Sequence, residues 1–162
     1  MRHLTASDIM ARSEIMLSPS VDIYEALGLL LTRKLTGAPV VNDEGILLGM
    51  LTERDCLKVL VAGELDGWPS GRVEQYMSAP AESIRPDASV YDIVHLFLTR
   101  PFRKLPVIDG DGRVVGQVSR RDTLIAFEST RDNPRSFGAA EEQAPDGAGV
   151  DSAMRIARGK KF

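Results

Sequence analysis

Two short stretches carry residue types at a spacing that suits an anionic, hydroxyl-bearing ligand. Thr52-Glu53-Arg54-Asp55 and Ser119-Arg120-Arg121-Asp122 each set a hydroxyl three residues ahead of a carboxylate. Each follows a glycine-led apolar run, Gly49-Met50-Leu51 and Gly116-Gln117-Val118. An ionised aspartate only accepts hydrogen bonds, so Asp55 and Asp122 suit the paired hydroxyls of a sugar. Thr52 and Ser119 can donate to a phosphate oxygen. A helix starting behind them adds unpaired N–H groups and partial positive charge. The same spacing is also a capping box, which any helix can use to satisfy its first N–H groups. Neither stretch is accompanied by an acid-base pair or an activated nucleophile, so catalysis is not expected.

The elements that must position these stretches occur twice. Displaced by 67 residues, the chain matches itself without a gap, with 14 identities over the 53 positions from Asp8 to Leu60. Met10 falls on Met77, Pro19 on Pro86, Tyr24 on Tyr91, Pro39-Val40 on Pro106-Val107, Gly49 on Gly116 and Arg54-Asp55 on Arg121-Asp122. Prolines, glycines and aspartates held at one offset mark two copies of one supersecondary unit, which complete a core by packing on each other. Each copy begins with a short extended piece (residues 15–17; 83–84). A helix with an N-cap at Asp22 or Ser89 follows. Next come a strand (38–41; 105–108), an acidic glycine turn (42–45; 109–112), a second strand (46–51; 113–118) and a second helix (53–62; 120–127). The unit is β-α-β-β-α and the fold class α/β (α+β). The copies span residues 5–62 and 73–128, joined by a glycine-rich linker, 63–72, whose Trp68 is expected to pack on a repeat. The tail, 129–162, has no regular periodicity and reads as mostly flexible, with a short basic end that could dock.

Composition narrows the function classes. The 162 residues carry 20 Lys plus Arg against 23 Asp plus Glu, a net charge of −3, which argues against nucleic acid as a partner. One cysteine, Cys56, excludes an internal disulfide and a thiolate metal cluster, and two histidines make a His-rich centre unsuited. The first residues lack a signal-peptide pattern and the longest apolar run, 26–31, is too short to span a bilayer. The expected compartment is the cytoplasm, with no membrane insertion.

The twofold set of Pro39, Val40, Gly49, Thr52 and Asp55, and Pro106, Val107, Gly116, Ser119 and Asp122, resembles the cystathionine β-synthase (CBS) domain family over about residues 5–127. The resemblance implies two repeats packed about a pseudo-two-fold axis as a CBS pair, or Bateman module, and a disc-shaped homodimer formed through helices of both repeats. It implies a regulatory sensor that requires no cofactor. An adenosine ligand (AMP, ADP or ATP, with S-adenosylmethionine or NAD as further members of the class) would sit between the repeats. The signal would pass to an enzyme or transporter that the sequence does not identify. The candidate ligand residues are Thr52, Asp55, Ser119 and Asp122. Strand groups that would meet the base are Gly37, Ala38 and Pro39 with Ile15 and Met16, and Leu105 and Pro106 with Ser83 and Ile84. Arg103, Lys104 and Arg121 are candidates for the phosphate. Ser83 keeps a hydroxyl common in the family's first strand and Met16 does not, so the cleft around Ser119 and Asp122 is expected to be the more polar. The competing reading is a dimerisation scaffold in which both motifs only cap helices. His95, Cys56, Tyr24 and Tyr91 read as packing or surface residues.

Overall fold

The computed structural model describes residues 4–12, 15–67 and 70–130. Trp68 and the basic end of the tail lie outside the described residues. In chain order the elements are α1 (Ala6–Ile9), α2 (Ile23–Thr32), β1 (Gly37–Val41), β2 (Leu47–Thr52), α3 (Glu53–Asp66), α4 (Val73–Tyr76), α5 (Val90–Thr99), β3 (Lys104–Ile108), β4 (Val114–Ser119) and α6 (Arg120–Thr130).

Each repeat is built on one antiparallel hairpin, β1–β2 or β3–β4, in matching register: Gly37 faces Thr52 and Lys104 faces Ser119. The turns form where the acidic glycine stretches stand. Asn42 and Asp109 each accept two backbone N–H groups across the turn. Gly45 and Gly112 take φ of +83° and +82°, a region open to glycine at little cost. The N-caps are as expected: Asp22 accepts from the N–H groups of Tyr24 and Glu25, and Ser89 from that of Asp92. Leu17 pairs in parallel with Val40, and Ile84 with Val107, so each extended first piece lies along its own hairpin.

The other edge of each hairpin is covered by the opposite repeat. Ala11 pairs with Gln117 and Ser78 with Met50, two contacts related by the 67-residue offset. Gly49 and Gly116 permit this approach. A Cβ on Gly49 would lie 2.7 Å from the Ser78 carbonyl oxygen, and one on Gly116 2.9 Å from that of Ala11. The short helices α1 and α4, which the periodicity does not announce, are the pieces exchanged. Ala6 is buried in the core of Ile84, Ile93, Phe97, Leu105, Val107 and Val118, and Val73 in that of Leu17, Ile23, Leu30, Val40, Leu51 and Val59. Burying Val73 is worth about 1.5–3 kcal/mol and the single Ala6 methyl about 0.8 kcal/mol, so each core helps to hold the other repeat's first turn in place. Helix α3 also runs to Asp66, four residues into the stretch read as linker.

Candidate functional site

Both hydroxyl–carboxylate stretches sit where a hairpin strand becomes a helix, and both form capping boxes. Thr52 closes β2 and caps α3, while Ser119 closes β4 and precedes Arg120 of α6. In the first, Asp55 Oδ2 accepts from the Thr52 N–H at 3.0 Å and from Thr52 Oγ1 at 2.7 Å. In the second, Asp122 Oδ2 accepts from the Ser119 N–H at 2.7 Å and from Ser119 Oγ at 2.6 Å. The preceding strand is tied to each helix start: the Glu53 N–H donates to the Thr36 carbonyl and the Arg120 N–H to that of Arg103.

The remaining carboxylate oxygens differ. Asp55 Oδ1 accepts from Lys58 Nζ at 2.8 Å and from Ser78 Oγ at 2.9 Å, and the residue is only 1% exposed. Burial alone would push its carboxyl up. The hydrogen bonds from Lys58, Thr52 and Ser78 outweigh that and hold it below the ordinary carboxylate range. Asp122 is half-buried, and among the described residues no donor meets its Oδ1. One motif is therefore spent on the protein and the other retains an acceptor. Sequence reasoning missed Ser78 and Lys58. The offset pairs them with Ala11 and Ile125, neither of which can donate from its side chain.

The other candidates gather around these two junctions. Lys104 stands directly across from Ser119, and Leu105 across from Val118. Ser83 precedes Ile84, whose N–H donates to the Pro106 carbonyl at 3.0 Å, so the first strand, β3 and β4 lie side by side. Gly37, Ala38 and Pro39 occupy the same places opposite Thr52, Leu51 and Met50. Ile15 packs on the first core, and Met16 precedes Leu17 on the edge of β1. The expectation of strand side chains covering a base meets a limit. Ala38, Pro39, Leu105 and Pro106 are buried, and the carbonyls of Pro39 and Pro106 already accept from Leu17 and Ile84. These residues bear on the site through the position of the strand.

Arg103 reaches across the repeats, its guanidinium 3.9 Å from the Glu53 carboxylate with both side chains exposed. Such a pair is weak and leaves Arg103 available to a stronger anion. Arg121 and Arg54 are exposed at the two helix starts. Cys56 is buried in the first core, where burial and then the charges of Asp55 and Glu53 push its thiol up, which argues against a nucleophilic role. An open groove of about 690 Å³ lies between α2 and α4, lined by Ser20, Asp22, Gly71, Arg72 and Gln75, and no residue of either motif lines it. Among the described residues no cluster of His, Cys, Asp and Glu could hold a metal ion, and no helix is long and apolar enough to cross a membrane.

The model of the CBS domain matches residues 6–62 and again 73–129. The chain belongs to the CBS domain family. It carries the two repeats of a CBS pair, in a mixed helix and strand fold. It is 32% identical over 117 residues to the uncharacterized protein MJ1225 of Methanocaldococcus jannaschii, an alignment covering 72% of this chain and 40% of that one. The chain thus spans well under half the length of that relative. Among solved structures, it is similar to CBSX2 of Arabidopsis thaliana in complex with AMP: TM-score 0.68, 29% identity, 78% of this chain and 98% of that one. It is also similar to the cytosolic domain of the Mg²⁺ channel MgtE in complex with ATP: TM-score 0.64, 25% identity, 77% of this chain and 50% of that one.

Proposed function

We propose that this CBS pair is a regulatory module that binds an adenosine nucleotide at the start of α6 and passes the binding on by a change in how its repeats, or two copies of it, sit together. The observation that carries the reading is the Asp122 carboxylate. One oxygen is fixed by Ser119, which sets the group's orientation, and the other is open to accept from the ribose hydroxyls. The positive end of α6, with Arg103, Lys104 and Arg121 nearby, favours the phosphates; the Thr52 and Ser119 hydroxyls, expected to donate there, instead give their one hydrogen to Asp55 and Asp122. Ser83, Ile84, Leu105 and Pro106 bring strand edges to the base. The AMP complex of CBSX2 and the ATP complex of MgtE, two proteins of the same fold, support the ligand class. The pair itself does no chemistry in this reading, so its output requires a partner enzyme or transporter, and a ligand shifts such an equilibrium only by binding one state better.

A second copy is the first partner we propose. Leu57, Leu60 and Val61 form one exposed stripe on α3, and Leu124 and Ile125 stand exposed at the start of α6. Leu57 and Leu124 are equivalent in the two repeats, so both present an apolar helix face to a disc-like homodimer.

Thermal denaturation with AMP, ADP, ATP, NAD and S-adenosylmethionine tests the ligand reading. A ligand at 100 times its Kd adds about 2.7 kcal/mol, or roughly 5–10 °C for a chain of this size. No shift with any of the five would leave the scaffold reading standing.

A further inference from the structure

Asp55 and Asp122 occupy equivalent positions, yet their surroundings differ at each contact that matters. The crossover strands are matched in backbone: Ser78 exchanges hydrogen bonds of 2.9 and 3.0 Å with Met50, and Ala11 exchanges bonds of 2.9 and 3.0 Å with Gln117. Only Ser78 carries a hydroxyl to deliver, and it delivers it to Asp55 Oδ1. On the helix, Lys58 adds a second donor to that oxygen, where the second repeat has Ile125. The strand position across from each motif's hydroxyl differs too, Gly37 facing Thr52 in the first repeat and Lys104 facing Ser119 in the second.

The second repeat also keeps a second acceptor. The Gln117 side-chain oxygen is buried with no donor among the described residues, and Met50 stands at the equivalent place. Strand side chains alternate, so Gln117 shares a face of β4 with Ser119. Buried acceptors without donors are rare in folded proteins. An amino group on a base is a donor of the kind the Gln117 oxygen lacks.

From this, resting on the nucleotide-binding reading above, we infer that each chain takes one nucleotide, held at Asp122, and that the Ser78–Asp55–Lys58 linkage closes the equivalent position in the first repeat. Asp55 serves instead as a fastening. It ties the crossover segment at Ser78 to the start of α3, and a sugar could reach its carboxylate only by undoing that tie.

Isothermal titration of the full chain with AMP and then ATP tests this. The expected stoichiometry is one nucleotide per chain, and Asp122→Asn weakens binding at least about tenfold while its oxygen can still accept from Ser119. Ala11→Ser places beside Asp122 the hydroxyl that Ser78 gives Asp55. It should weaken binding by about tenfold with an unchanged circular dichroism spectrum and a melting temperature no lower than the parent's. Two nucleotides per chain, one nucleotide surviving Asp122→Asn, or Ala11→Ser binding like the parent would each overturn the inference. Absence of heat and of any thermal shift with every adenosine ligand would instead sink the nucleotide reading itself.

Discussion

Replacing Asp55 and Asp122 in turn by alanine separates a structural carboxylate from one kept for a ligand, without any ligand present. Asp122→Ala removes two short cap bonds to Ser119 from a half-buried position. The loss of such a cap is typically about 1 kcal/mol. Asp55→Ala removes the same cap together with the bond to Ser78 and a side chain almost wholly sealed from solvent. The Lys58 ammonium adds little, because 61% of its side chain is exposed and it returns to water. Hydrogen bonds to a charged group carry about 1.5–3 kcal/mol, so with the cap the total for Asp55→Ala is roughly 2.5–4 kcal/mol. The gap between the two variants is then about 1.5–3 kcal/mol, or roughly 3–12 °C in melting temperature. Urea denaturation followed by far-ultraviolet circular dichroism reads both losses on one scale. Equal losses, or a larger one for Asp122→Ala, would refute the assignment of Asp55 as the fastening of the crossover.

Three further outcomes are expected. Because the folded pKa of Asp55 is depressed, its contribution is present above the unfolded value of about 4 and is lost as pH falls through the lower folded value. The melting-temperature difference between the parent and Asp55→Asn should therefore hold steady down to about pH 5 and shrink toward pH 3. Gly116→Val sets a branched side chain against the Ala11 carbonyl, 2.9 Å from where its Cβ must lie, so limited proteolysis should cut the N-terminal segment sooner while β3–β4 persists. Leu124→Glu puts a charge on the exposed face of α6 and should shift the chain from dimer to monomer in light scattering, with little change in its melting temperature; a monomeric parent would remove the homodimer proposal.

The hairpins, the four longer helices and both capping motifs are legible in the residues because each leaves a local signature. Asn42-Asp43-Glu44-Gly45 demands a turn, Asp22 and Ser89 announce helix starts, and Thr52-x-x-Asp55 reads as a box whatever surrounds it. The exchange of α1 and α4 is not legible. Each is a four-residue helix with one buried anchor, Ala6 or Val73, and the edge pairing that follows is a single bridge at Ala11 or Ser78, too short to carry a period of 2 or 3.6. What it does leave is the pair of glycines, Gly49 and Gly116, which mark a close backbone approach without saying what approaches.

Ser83 against Met16 already points to unequal clefts, but the same gap in legibility hides the two donors, Ser78 and Lys58, that make the motifs themselves unequal. In the alignment of the two copies, Ser78 over Ala11 and Lys58 over Ile125 are ordinary mismatches among many, and nothing local ties either to Asp55. They acquire meaning once the crossover carries Ser78 into the other repeat and sets its hydroxyl 2.9 Å from the carboxylate. Duplication produced two backbones in one register, and the identities Pro39 and Pro106, Gly49 and Gly116, and Asp55 and Asp122 preserve that frame. Division of labour then needs no change in fold. A hydroxyl and an ammonium beside one aspartate make it part of the scaffold. Alanine and isoleucine at the same two places leave the other with an oxygen to offer.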